Sequence, residues 1–312
     1  MGRRKPPLVV IVGPTAVGKT SVSIQLAQHL NGEIVSADSR QLYREMDIGT
    51  AKPTLDELQA VRHHLINVAD PDERWSLAIY QREAYRNIDE ILGRGKLPFL
   101  VGGTGQYIRS IIEGWRIPPQ KPDYDLRDVL NHWADDIGAE ALHERLARLD
   151  PQAASKIDYR NLRRIVRALE VIFKTGERFS DLRRKQEPRY DNIILGIERS
   201  REELYERVDQ RIERMLADGL VDEVRVLLAQ GYSPELATMS AIGYNEIIQY
   251  LKGVLTFDEA VALIKHNTRV FVRRQANWFK PDDPRITWFR AGEDLVADME
   301  EMSRKRLEDE QR

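Results

Sequence analysis

The chain has 312 residues, enough for one large domain or two smaller ones with an ample core. Its 48 Lys and Arg residues nearly balance 50 Asp and Glu residues, so any surface that attracts nucleic acid must be local. The lack of cysteine excludes disulfides and thiolate metal sites, and no apolar run approaches the roughly 20 residues that cross a membrane. The N-terminal MGRRKPP has no apolar core of a secretory signal, so we expect a cytoplasmic protein.

The stretch from Leu8 to Thr20, LVVIVGPTAVGKT, is typical of a buried strand that leads into a phosphate-binding loop and a helix. Glycines let backbone N–H groups close around phosphate oxygens, and the helix N-terminus adds positive partial charge. Lys19 supplies a point charge for the phosphates, and the Thr20 hydroxyl can ligate Mg²⁺. A nucleotide is the usual ligand of such a loop. The predicted ligand-binding residues are Gly13, Pro14, Thr15, Ala16, Val17, Gly18, Lys19 and Thr20.

Strand-like and helix-like segments alternate over residues 8–112. Short apolar runs predict strands at 33–37 and 97–101, and an amphipathic pattern predicts a helix over 77–92 between them. This alternation indicates an α/β fold with a parallel sheet and with ligands at the carboxyl ends of its strands.

The alternation breaks at a proline-rich stretch, residues 115–122, which predicts a linker. Only helical periods follow as far as residue 190, and an apolar run at 192–197 then predicts a strand that returns to the sheet. We therefore predict a P-loop NTPase-like parallel sheet flanked by helices, formed by residues 1–115 and 191–312. An all-helical subdomain, residues 116–190, is inserted into it.

The remainder of the chain is mostly helical in pattern. Helices are predicted at 202–217, 220–229, 240–252 and 257–279, a last short strand at 286–289, and a solvated helix or tail at 293–312.

Polar residues follow two of the predicted strands. Asp38 ends the second, where a carboxylate can accept a proton or help to hold Mg²⁺, although an Asp-Ser pair can equally cap a turn. Gly102, Gly103 and Thr104 follow the third, where they suit either close approach to a ligand or a plain tight turn. Position alone leaves both alternatives open for each site.

Two basic stretches stand out on a nearly neutral chain. The first has Arg160, Arg163, Arg164 and Arg167 on one helix face, opposite an apolar face; the second contains Lys265, Arg269, Arg273, Arg274 and Lys280 and no acidic residue. Such stripes are usually solvated, but few carboxylates are nearby, which favours nucleic acid as one substrate. Arg207 and Arg211 lie one helical turn apart and either contact a phosphate or pair with Glu203 or Glu206. We assign His63 and His64 no role.

Seven motifs together resemble those of the tRNA dimethylallyltransferases, over about Leu8 to Phe289. They are GPTAVGKT, DSRQLYREMDIGTAKP (38–53), HHLINVADP (63–71), LVGGTGQYI (100–108), LRRIVRALEV (162–171), AIGYNE (241–246) and TRVFVRRQANWF (268–279). The long second motif is specific, whereas the phosphate-binding loop alone is not. The lack of a zinc-finger extension is typical of bacterial members.

The resemblance implies transfer of a dimethylallyl group from its diphosphate to N6 of the adenosine 3′ of the anticodon. Asp38 would be the general base, Thr20 would help to hold Mg²⁺ and the leaving group, and Lys19, Thr104 and Arg211 would stabilise the diphosphate. The loop would then hold an isoprenoid diphosphate rather than a nucleotide. The implied tRNA contacts are Asp38, Ser39, Arg40, Gln41, Thr104, Arg127, Arg163, Arg164, Arg167, Ser240, Ala241, Ile242, Gly243, Tyr244 and Asn245.

The inserted helices would grip the anticodon stem-loop, and no obligate protein partner is evident, so a monomer is expected. Two positions depart from the family pattern. Asn245 is often Lys or Arg in the family, so a phosphate contact there would be weakened or moved; Gln106 is often a large apolar residue, so it would slightly alter the prenyl channel.

Two other functions remain possible from the sequence. One is a P-loop small-molecule kinase in which Asp38 activates a hydroxyl, although such kinases carry a short lid rather than a long helical insertion. The other is a nucleic-acid-binding NTPase, which calls for a strand ending in an acidic residue, whereas the strand at 97–101 ends in Gly102.

Overall fold

The computed structural model describes residues 5–117, 123–182 and 187–309. Its sheet has six strands in the order β3-β2-β4-β1-β5-β6, and every pairing is parallel. The strands are β1 Pro7–Val12, β2 Gly32–Ser36, β3 His63–His64, β4 Leu97–Val101, β5 Asp191–Glu198 and β6 Ile286–Arg290. The helices are α1 Lys19–His29, α2 Leu55–Ala60, α3 Leu77–Gly93, α4 Gly105–Ile112, α5 Tyr124–Ile137, α6 Ala139–Leu149, α7 Pro151–Ala154, α8 Leu162–Thr175, α9 Phe179–Leu182, α10 Arg201–Ala217, α11 Leu220–Ala229, α12 Tyr244–Leu251, α13 Phe257–Gln275 and α14 Leu295–Asp309.

Strand β1 lies inside the sheet, between β4 and β5. Its residues 8–12 are completely buried, as expected for a parallel strand covered by helices on both faces. In register, Val9 lies beside Phe99 of β4 and Ile193 of β5. Because the strands are parallel, the loops after β1, β2 and β4 meet at one edge of the sheet. The predicted α/β fold with a parallel sheet is confirmed.

The chain divides into two compact units. One comprises residues 1–112 and 188–312 and contains the sheet; the other comprises residues 113–187. The second unit begins and ends three residues earlier than the boundaries of 116 and 190 taken from the sequence. Part of the predicted linker, residues 118–122, lies outside the described residues.

The second unit has its own hydrophobic core, formed by helices α5 to α8. Leu142, Leu146, Ile165 and Leu169 are completely buried in it. The apolar face of α8 that the sequence predicts is therefore its core-facing side. The basic residues of the same helix lie on the opposite side.

Three local features differ from the sequence predictions. Residues 63–64 form the edge strand β3, which two residues are too few to reveal by periodicity, and His64 bonds to buried Glu33 through Nε2 at 2.7 Å. Helix α12 begins at Tyr244 rather than at 240, because Gly243 has a φ of 97°, outside the helical region. Helix α14 is not simply solvated, because Leu295 and Met299 join the core beside α1.

The helices of the described ranges include none that is both long enough and apolar enough to cross a membrane.

Candidate active site

The loop after β1 closes tightly against its neighbours. At Gly13 the backbone φ is +150°, and a Cβ there would lie 2.6 Å from the carbonyl oxygen of Ile197 in β5, so only glycine fits. The Lys19 ammonium arches back over the loop and donates hydrogen bonds to the carbonyls of Gly13 (3.0 Å) and Pro14 (2.8 Å). Burial lowers the pKa of Lys19 to about 8, with Asp38 opposing the shift and Arg211 adding to it. An amine held this way is poised to meet an anion at the N-terminus of α1.

The loops after β2 and β4 are joined directly. The N–H of Thr104 donates to the carbonyl of Ala37 at 3.0 Å, and the Thr104 hydroxyl accepts from the N–H of Ser39 at 3.0 Å. Asp38, between them, accepts the N–H of Arg40 on Oδ1 at 2.9 Å. The turn-capping alternative is thus correct for one oxygen of Asp38, yet the same carboxylate lines a cavity.

Helix α10 brings arginines to the phosphate-binding loop. Arg207 donates through Nε to the carbonyl of Ala16 at 2.7 Å, and Arg199, just before the helix, donates to the carbonyl of Val17 at 3.2 Å. Burial lowers the pKa of Arg211, an effect that Asp38 opposes and Arg214 reinforces. A guanidinium remains protonated in proteins, so Arg211 is a permanent cation close to Lys19 and Asp38.

A single cavity of about 390 Å³ joins these groups. Lys19, Thr20, Asp38 and Arg211, the four residues predicted to be catalytic, all line it. Its remaining wall is partly apolar and includes Ile34, Ile66, Val101, Ala51 and Pro53. The cavity therefore offers cations for phosphates, a carboxylate for a proton, and an apolar surface for a hydrocarbon.

Sequence reasoning missed Gln275, which bridges two loops of the site. Its Oε1 accepts the N–H of Thr15 at 2.7 Å, and its Nε2 donates to the carbonyl of Gly103 at 3.0 Å. The partners are 260 and 172 residues away in the chain, so no local pattern pairs them. One clue exists: Gln275 falls on the buried period of α13, an amide where an apolar residue would be expected.

The structure separates the arginines of the 113–187 unit into two kinds. Arg163 and Arg164 are exposed, and within the described residues neither side chain has a polar partner. Arg127 and Arg167 instead bind the buried carboxylate of Glu170, at 2.9 and 2.6 Å. The expectation that carboxylates are too few to pair all of this stripe holds for Arg163 and Arg164, whereas Arg167 is paired.

The second basic stretch is also partly neutralised. Although it contains no acidic residue itself, α10 supplies carboxylates: Glu213 pairs with Lys265 at 2.8 Å and Asp209 with Arg269 at 2.5 Å. The free basic surface predicted here is thus smaller than the sequence suggests.

The segment Ser240–Asn245 exposes only part of itself. Ser240 and Asn245 are exposed, whereas Tyr244 is completely buried, so a direct contact with RNA is left to the exposed positions. Gln106 is also exposed and is not one of the described residues that line the cavity, so its effect on a prenyl channel stays a prediction. Ser39, Arg40 and Gln41 follow Asp38 at the cavity edge, where Gln41 is part of the lining.

Comparison with known proteins gives the site its context. A family model described as IPP transferase matches residues 41–282, and one described as isopentenyl transferase matches residues 6–70. The tRNA dimethylallyltransferase of Roseiflexus sp. (strain RS-1) is 53% identical over 274 residues, which cover 88% of this chain and 90% of that protein. The enzyme of the same name from Herpetosiphon aurantiacus is 47% identical over 298 residues, covering 96% and 95%.

Solved structures of tRNA prenyltransferases have the same fold as this chain. The full-length tRNA isopentenylpyrophosphate transferase of Bacillus halodurans superposes with a TM-score of 0.74 at 40% identity, covering 98% of each chain. A eukaryotic dimethylallyltransferase acting on tRNA superposes with a TM-score of 0.84 at 27% identity, covering 97% of this chain and 80% of that one. The family match spans most of the chain, and the cavity carries the groups that the family's motifs supply. The chain therefore belongs to the tRNA dimethylallyltransferases, a family of prenyltransferases.

Proposed function

We propose that this enzyme transfers the dimethylallyl group of dimethylallyl diphosphate to N6 of the adenosine 3′ of the anticodon in tRNA. The observation that carries the proposal is the cavity, in which the phosphate-binding loop and Asp38 face one space with an apolar wall. An isoprenoid diphosphate has one anionic and one apolar end, and the cavity offers cations to the first and an apolar surface to the second.

In the reaction, the N6 nitrogen attacks C1 of the dimethylallyl group and the bond from C1 to the bridging oxygen breaks. Diphosphate leaves with the bonding electrons, and the proton lost from N6 passes to the carboxylate of Asp38. Lys19 and Arg211 stabilise the negative charge that grows on the diphosphate. The target base is stacked in its loop, so it must be flipped into the cavity at a cost of a few kcal/mol.

Mg²⁺ fits the donor set of this cavity. The ion is usually held by one or two protein oxygens together with substrate phosphates, and Thr20 and Asp38 supply a hydroxyl and a carboxylate at the phosphate-binding end. Within the described residues no group of three or more His, Asp or Glu side chains could hold a metal alone, which suits an ion that arrives with the diphosphate. When bound, Mg²⁺ would neutralise charge on the leaving group.

Several residues are assigned to tRNA in the same proposal. Ser39, Arg40, Gln41 and Thr104 surround Asp38 and would meet the flipped base and its neighbours. The exposed Arg163 and Arg164 would contact phosphates of the anticodon stem-loop. Activity as a cytoplasmic monomer, without an obligate protein partner, stays a prediction.

The test is direct. The protein is incubated with unmodified tRNA, Mg²⁺ and dimethylallyl diphosphate, and the digested nucleosides are analysed by mass. We expect prenylated adenosine, and about 10²- to 10⁴-fold less of it per unit time with Asp38→Asn, because general base catalysis contributes that much. Binding of tRNA to the variant should change little. Wild-type protein that forms no prenylated adenosine but hydrolyses ATP rapidly would refute the proposal.

A further inference from the structure

One wall of the cavity belongs to a loop outside the phosphate-binding loop and outside the turn that carries Asp38. We call residues 46–53 the cavity loop, since Thr50, Ala51 and Pro53 contribute to the lining. The apolar residues Ile34 and Ile66 line the same cavity. The position of this loop therefore sets the space available to a hydrocarbon chain.

Glu223, on α11, holds the cavity loop from outside. Its Oε2 accepts the N–H groups of Asp47 (2.9 Å) and Ile48 (2.7 Å), and its Oε1 accepts the N–H of Gly49 at 3.1 Å. Three successive N–H groups thus converge on one carboxylate, the arrangement by which backbones bind anions. Oε1 also accepts the hydroxyl of Tyr244 at 2.6 Å, so all four donors are satisfied by a charged acceptor.

Two further sets of contacts fix the position of the cavity loop. A Cβ on Gly49 would lie 2.5 Å from the Tyr244 ring, so the backbone of the cavity loop is pressed directly onto that ring. From inside, the Lys52 ammonium, whose side chain is only 4% exposed, donates to Asp47 Oδ1 at 2.6 Å and to Asn67 Oδ1 at 2.5 Å. The loop is therefore held on both sides, and Glu223 supplies the hydrogen bonds that tie its backbone to helix α11.

We propose that Glu223 is a positioning residue that sets the apolar wall of the donor cavity, and with it the affinity for the prenyl diphosphate and the length of prenyl chain accepted. The inference rests on the function proposed above. Glu223 is not among the described residues that line the cavity, so it acts through the backbone of residues 47–49. Without it, Thr50 and Ala51 lose the anchor that immediately precedes them.

The test uses Glu223→Ala, Glu223→Gln and a matched control, Asp222→Asn, next to Glu223 on α11. Asp222 is 76% exposed and pairs only with Arg225 among the described residues, so Asp222→Asn should behave as wild type. For Glu223→Ala we expect the KM for dimethylallyl diphosphate to rise about tenfold, the equivalent of one charge-assisted hydrogen bond. The KM for tRNA should stay within about twofold of wild type, and geranyl diphosphate should be used better relative to dimethylallyl diphosphate. Glu223→Gln should lie between, because its amide oxygen still accepts some of the same bonds.

Amide hydrogen exchange gives a readout that does not depend on catalysis. Peptides covering residues 46–53 should exchange faster in Glu223→Ala than in Asp222→Asn, with little change in β1 or α1. If the wild type proves inactive, the proposed function fails, and the exchange data still decide whether Glu223 holds the loop. An unchanged KM for the donor, an unchanged donor preference, or an equal rise in both KM values would overturn the inference. Should Glu223→Ala fail to fold, the same criteria apply to Glu223→Gln.

Discussion

The carboxylate of Glu170 allows two roles of arginine to be separated in the 113–187 unit. Glu170 is completely buried; its Oε2 accepts from Arg127 at 2.9 Å and Arg167 at 2.6 Å, and its Oε1 from the N–H of Asp123 at 2.7 Å. Burial alone would raise the pKa of Glu170, but these hydrogen bonds outweigh it and lower the pKa. Both arginines were assigned to tRNA from the sequence; here Arg127 of α5 is joined to α8 through Glu170, whereas Arg167 pairs with Glu170 within α8 itself.

The Glu170→Gln substitution removes the charge and leaves two cations facing each other. Breaking a buried ion pair costs about 3–5 kcal/mol. The two guanidinium side chains are 28% and 29% exposed, so water relieves part of that cost. We therefore expect the 113–187 unit to lose about 2–3 kcal/mol of unfolding free energy.

Replacing Arg163 and Arg164 together by Gln should leave the stability unchanged and weaken tRNA binding instead. Both are exposed, so unfolding free energy should change by less than about 0.5 kcal/mol. Each phosphate contact contributes about 0.7–0.9 to the slope of log K against log salt, so the slope for tRNA binding should fall by about 1.4–1.8.

The assays are urea denaturation and fluorescence anisotropy of labelled tRNA at several KCl concentrations. Unchanged stability of Glu170→Gln would refute the structural role of the Glu170 pairs. An unchanged salt slope for the double Arg163/Arg164 variant would show that these side chains are only solvated.

Three further predictions concern the sheet-containing unit. Burial lowers the pKa of Lys19 to about 8, so its ammonium is charged below that pH. Binding of dimethylallyl diphosphate, measured by calorimetry, should therefore weaken as the pH rises above 8. The Lys19→Arg variant stays charged and should not show this loss. Burial acts to raise the pKa of Glu33, but hydrogen bonds from His64, Arg94 and Lys96 outweigh it and lower the pKa from 4.5 to about 2. This carboxylate therefore stabilises the fold above pH 4.5, and its contribution of about 3 kcal/mol should be lost between pH 4.5 and 2. Thermal melts of Glu33→Gln should not show this loss. Gln275→Leu leaves the N–H of Thr15 without its acceptor, which should lower the unfolding free energy by about 1–3 kcal/mol and raise the KM for the prenyl diphosphate. Gln275→Glu keeps that acceptor, so its KM in steady-state assays should change less.

Much of the fold is legible in the sequence because its signals are local. The apolar run at 8–12 is buried on both faces, as β1 is in the structure, and the amphipathic pattern of α8 separates its buried side from its basic side. The phosphate-binding loop is recognisable because the glycines, Lys19 and Thr20 that bind phosphate stand at fixed spacing in one short segment. The four residues predicted to be catalytic line one cavity. Parallel strands end at one edge of the sheet, so the segments that follow them meet there.

What the sequence concealed depends on distant partners. Gln275 and Glu223 act through residues more than 170 positions away, so no local pattern in α11 or α13 identifies their partners. The pairing of Arg127 with Glu170 crosses two helices, so counting nearby carboxylates along the chain could not find it. Edge strand β3 is too short for any periodicity.

The position of the 113–187 unit in the chain has a consequence for how the protein is made. β1 lies beside β5, and Leu8 pairs with Asn192, so the sheet cannot close until the ribosome has delivered the whole helical excursion. Joining ends roughly 180 residues apart is slow, because long-range contacts must wait for loop closure. In the meantime β1 presents an unpaired, wholly apolar edge, the kind of surface that invites aggregation. The strand that leads into the phosphate-binding loop is thus the part of the nascent chain most in need of protection.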